Sequence, residues 1–83
     1  MMNARVKKLQ SLANRIARNY REDGFYRFDE QTHLRGLTQM ILAHRNGNMI
    51  SIFTDLERSQ VRVWFNSELK HTYNERGYEM CQP

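Results

Sequence analysis

The chain has 83 residues, a net charge of +4 and a mean hydropathy of −0.81. That length makes one small domain, 1–83, which buries about 60–65% of the surface its unfolded form exposes. No apolar run approaches the ~18 residues of a membrane span, so no membrane partner is expected, and 40% apolar residues are too many for a disordered chain.

The first predicted element is a helix over 3–22. Val6, Leu9, Ala13, Ile16 and Tyr20 recur at helical spacing, flanked by Met2, Leu12 and Ala17, and form one apolar face. Asn3 is the expected N-cap, and Asp23-Gly24 the stop. Lys7, Lys8, Arg15, Arg18 and Arg21 fall on the opposite side, with Arg5 at the border. Residues 1–21 hold six cations and no acid, whereas 22–83 hold seven cations and nine acids. The basic character thus belongs to the first quarter of the chain, an asymmetry that suggests a polyanionic partner. A solvated helix face ordinarily mixes signs, because i,i+4 pairs stabilise it. Lys7 and Lys8 also sit near the positive end of the helix dipole, where cations are disfavoured. An Arg-rich, acid-free amphipathic start is also the form of a mitochondrial presequence. The reading favoured here is a core helix of the domain.

A sheet of three to four antiparallel strands is predicted over 24–66. "GFYRFDE" (24–30) alternates, with Tyr26 and Phe28 on one face and Arg27 and Asp29 on the other. "LTQMILAHR" (37–45) fits a helix or a strand. The strand is favoured because Asn46-Gly47, the strongest short hairpin signal, follows it and precedes "MISIFTD" (49–55). "LERS" turns the chain into "QVRVWF" (60–65), where Val61, Val63 and Phe65 oppose Arg62 and Trp64. Tyr26, Phe28, Val63 and Phe65 are expected in the core. A short helix over 67–76, with Leu69 and Tyr73 inward and Gly77 as its stop, and an irregular tail over 77–83 complete an α+β domain.

Helix, three strands, helix is also the order of double-stranded-RNA-binding domains. Those carry a run of lysines at the start of the last helix, where this chain reads "SELKHTY", so no family is assigned.

Chemistry-bearing patterns are sparse. His33, His44 and His71 lack metal-ligand spacing, and the single Cys81 has no partner for a disulfide or a zinc pair. No metal, cofactor or catalytic residue is assigned. The lone Cys fits a reducing compartment, so a cytoplasmic location is expected. The expected function is a non-enzymatic regulatory or accessory module that binds nucleic acid through Lys7, Lys8, Arg15, Arg18 and Arg21. The alternative is an inhibitor or adaptor that docks on an acidic surface of a partner enzyme through Trp64, Arg62 and Tyr20, residue types that dominate interface hot spots. A third class is RNA cleavage by His33, His44 or His71, which needs two such groups within reach of one substrate. A homodimer is compatible with any of these.

Overall fold

The computed structural model describes residues 4–80 and opens with helix α1 (Ala4–Glu22). Its stripe is the one the periodicity predicts: Leu9, Leu12, Ala13, Ile16 and Ala17 are buried, and Tyr20 is partly buried beside them. The expected N-cap, Asn3, and the flanking Met2 lie outside the described residues. The helix ends where Asp23-Gly24 predicts. The Gly24 N–H bonds the Arg21 carbonyl at 3.1 Å, and the Phe25 N–H bonds that of Tyr20 at 3.2 Å. Gly24 has φ +98°, and a Cβ there would lie 2.7 Å from His44 Nε2. Both the left-handed backbone and the close approach require glycine.

Five antiparallel strands follow in sequential order: β1 (Tyr26–Thr32), β2 (Leu37–Ala43), β3 (Met49–Asp55), β4 (Gln60–Phe65) and β5 (Glu68–Asn74). A single tight turn, Leu34–Gly36, links β1 to β2. Helix α1 lies across β3 and β4 on one face of this meander. Met40, Leu42, Ile50, Ile52, Val61 and Val63 complete the core beneath it. The segment 37–45 is thus resolved as a strand, with Ala43 its last residue.

Three expectations fail for physical reasons. The connection between β2 and β3 is a five-residue loop, His44–Asn48, and not a two-residue Asn-Gly turn. The His44 N–H bonds the Asn48 carbonyl at 3.0 Å, and of Asn46 and Gly47 only Gly47 has a positive φ. A type I′ turn needs positive φ at both central residues.

Second, 67–76 is not a helix. Its centre is β5, so the sheet has five strands and runs to Asn74 instead of having three to four within 24–66. In the described part of the expected irregular tail over 77–83 Glu79 bridges Tyr73, and 81–83 lie outside the described residues. Leu69 and Tyr73 stand four residues apart, a spacing that fits one helical turn as well as two strand repeats; in β5 a register shift sets Leu69 opposite Trp64 while Tyr73 pairs Val61. The turn chemistry decides the matter. Asn66 adopts φ 55° between Phe65 and Glu68, which pair across the hairpin. Asn tolerates this region better than other side-chain-bearing residues. Its N–H donates to the Met49 carbonyl at 2.7 Å, and its Oδ1 accepts the Met49 N–H at 3.0 Å. Asn66→Ala is therefore expected to cost about 1–2 kcal/mol in urea denaturation, by adding backbone strain and removing an acceptor. Asn66→Gly relieves the strain and loses only the side-chain bonds, from the Met49 N–H and to Asn48 Oδ1 at 3.4 Å.

Third, Tyr26 and Phe28 are 52% and 62% exposed instead of being in the core. They belong to an edge strand beyond the cover of α1, and the pairing with β2 shifts register between Arg27 and Asp29, at Phe28. Val63 is buried and Phe65 packs partly against the core, as expected. The opposite edge is covered by the chain itself. The Met80 N–H bonds the Thr72 carbonyl at 2.7 Å, the Asn74 N–H bonds that of Tyr78 at 3.0 Å, and His71 Nδ1 lies 2.7 Å from Glu79 Oε2.

Candidate functional site

The outer side of α1 carries Lys7, Lys8, Arg15, Arg18 and Arg21, all exposed. Among the described residues only Arg62 and Lys70, of all Lys and Arg, have a carboxylate within 4 Å. None of the helix cations is neutralised by an ion pair, and no acid stands in the first turn. Their charge is left for solvent or a ligand.

The sheet extends this basic surface to both flanks of the helix. On the β5 side, Lys7, Lys8 and Arg15 line a cleft of about 500 Å³ with Arg76 from the turn after β5. Glu75 is the one acid in that lining. Arg76 is set there by Asn74, whose Oδ1 accepts the N–H groups of Arg76 and Tyr78 at 2.9 and 3.1 Å. On the β1 side, Arg18 and Arg21 line a second cleft with Arg27, and no acid contributes to it. A third, polar cleft adjoins the second through Asn14 and Arg27. The five predicted helix cations are thus divided between two flanks, each with one arginine from outside the helix added, Arg76 from the turn after β5 and Arg27 from β1. Arg76 is not foreseeable from the sequence pattern, which puts it in a helix over 67–76. Arg27 is hidden in the same way, because Tyr26 and Phe28, core residues by type, set the apparent phase of the strand. Arg27 in fact faces the helix side, where its Nη2 lies 3.5 Å from Met40 Sδ.

The residues expected at a protein interface are not brought together. Trp64 lies on the face away from α1 and is partly buried, lining a shallow hollow with Phe53, Gln39, Ser51 and Asn66. His33 stacks on Phe53, ring centroids 6.4 Å apart. Tyr20 lies on the helix side, edge-on to Phe25 at 5.9 Å. Burial first, then Asp23 and Glu79, push its phenol above its ordinary pKa. Burial, Glu79 and Tyr20 do the same to Tyr73. Arg62 is held by Asp55, with Nη1 donating to Oδ2 at 3.1 Å.

Burial alone would raise the Asp55 pKa. The Arg58 N–H at 3.1 Å and the Arg62 guanidinium outweigh it and hold the carboxyl below its usual value. A depressed carboxylate stabilises the fold above the unfolded pKa of about 3.9, and the contribution is lost as pH falls through the lower folded value. Melting temperature is expected to fall on acidification below roughly pH 4, and to fall less steeply in Asp55→Asn, which starts from a lower plateau.

The three histidines occupy separate places. His33 precedes the turn into β2, with Nε2 3.0 Å from Gln39 Oε1. His44 follows β2, packs on Phe25 at 5.0 Å and accepts the Asn46 N–H at 3.1 Å. His71 lies on β5 against Glu79. No two of them line a common cleft among those described. No group of three or more His, Cys, Asp and Glu among the described residues is placed to hold a metal ion; Cys81 lies outside them. No helix among these residues is long and apolar enough to cross a membrane. The chain matches no family model, no curated protein and no solved structure.

Proposed function

We propose that this protein is a non-enzymatic accessory or regulatory module that binds nucleic acid through the outer side of α1 and the sheet arginines on its flanks. The observation that carries this reading is the set Lys7, Lys8, Arg15, Arg18 and Arg21, none of them ion-paired, joined by Arg27 and Arg76. Cations held on a helix, a strand and a turn, with no carboxylate in ion-pair reach, can release the counterions condensed on a phosphate backbone. The same proposal places the protein in the cytoplasm, where a chain with one Cys needs no disulfide.

A fluorescence-anisotropy titration against duplex DNA, single-stranded DNA and RNA tests the reading. Dissociation constants of roughly 10⁻⁴–10⁻⁶ M or tighter are expected, even without sequence preference. The absence of binding at low salt overturns it. That result would turn attention to the second reading, a protein partner seated on the open sheet face, which the partly exposed Trp64 beside Phe53 favours.

A further inference from the structure

We propose that the polar cleft between α1 and strands β1–β3, with the arginines beside it, is a seat for one nucleotide of a single strand. The base enters the cleft and its phosphate rests on the arginines. This inference rests on the nucleic-acid reading above and specifies the form of ligand.

The cleft holds about 310 Å³, at the lower end of the roughly 300–1,000 Å³ of small-molecule sites. Its floor is apolar: Ala13, Met40 and Ile52, all buried core residues. Around the floor stand Gln10 and Asn14 from α1, Arg27 and Glu30 from β1, Thr38 from β2 and Thr54 from β3. Five of these six side chains make no hydrogen bond in the fold, and Arg27 has only the Met40 sulfur. Thr54 is the most telling. It is 6% exposed, yet its hydroxyl has no protein partner. Among the described residues no buried side-chain polar atom is sealed off without a partner, so that hydroxyl opens on the cleft. A hydroxyl set so deep over an apolar floor is ordinarily satisfied, because an unmet one is costly; the other five polar side chains are exposed or half-buried at the rim.

The donor and acceptor types indicate what would satisfy them. Gln10 and Asn14 each offer one carbonyl and one amide, Glu30 only accepts, Arg27 only donates, and the threonines do both. An alternating array of this kind suits the edge of a nucleobase, which mixes donors and acceptors. It does not suit a bare phosphate, which Glu30 would repel. The phosphate's place is next door, where Arg18, Arg21 and Arg27 line the adjoining cleft without an acid. Asn14 and Arg27 line both clefts, so a nucleotide can span them. A base stacked in a duplex is not free to enter, which makes the ligand a single strand. The Met40 thioether on the floor offers the ring a polarisable contact.

The test compares a ten-nucleotide single-stranded RNA, an abasic phosphodiester strand of the same length and a duplex, all at one salt concentration. The RNA is expected to bind about tenfold tighter than the abasic strand, the scale of base contacts in single-strand binders. Thr54→Val and Gln10→Ala, each confirmed folded by its melting curve, should remove most of that difference and leave abasic binding unchanged. Equal affinity for RNA and abasic strand, or a preference for duplex, overturns the seat and leaves the polyanion surface standing. No binding by any strand overturns both.

Discussion

Replacing Lys8, Arg15 and Arg18 together by Gln is expected to weaken nucleic-acid binding by on the order of 10–100-fold at low salt and to flatten its salt dependence. Each lost phosphate contact removes about 0.7 from the slope of log K against log salt on single strands and about 0.9 on duplex, so three remove roughly 2 and 3. The fold should not suffer. All three side chains are exposed and none is ion-paired. Gln is a good helix former, and surface changes of this kind stay within about 0.5 kcal/mol each. Circular dichroism and melting of the triple variant separate lost charge from lost structure. A folded triple variant with unchanged affinity would remove α1 from the site.

Leu9→Ala is expected to destabilise the domain by about 3 kcal/mol. Leu9 is wholly inaccessible at the N-terminal end of the buried helix stripe, in one core cluster with the almost fully buried Ile50, Ile52, Val61 and Val63. Truncation loses the transfer free energy of the removed carbons and leaves a cavity that a rigid helix–sheet interface closes poorly. A domain of this length is stable by roughly 4–12 kcal/mol in all, so the loss takes a large share. Urea denaturation measures it. A cost under about 1 kcal/mol would mean that α1 is not pinned at this point.

Helix α1 was legible because three signals agree along it: the 3.6-residue period, the Asp23-Gly24 stop and the segregation of charge. Strands β2, β3 and β4 were legible because their alternating residues are buried beneath the helix. The errors fall at the periphery of the sheet, where burial does not enforce a pattern. Tyr26 and Phe28 look like core residues by type, but β1 lies outside the helix's cover, and every residue of it is exposed. β5 offered too few decisive residues, and Asn66 serves equally as a helix cap and as the left-handed residue of a tight hairpin. The candidate site divides in the same way. Its helix cations could be read directly, because they share one element. Arg27, Arg76 and the polar cleft depend on which strand lies beside which helix flank, a tertiary fact that no local pattern carries.

The most direct measurement is a map of backbone amide shifts, by ¹H–¹⁵N correlation, during titration with a short single-stranded oligonucleotide. Movement is expected along residues 7–21, at Arg27 and at Arg76, while Gln39, Phe53 and Trp64 on the open face stay still. Shifts confined to that open face, with α1 silent, would contradict the proposed site.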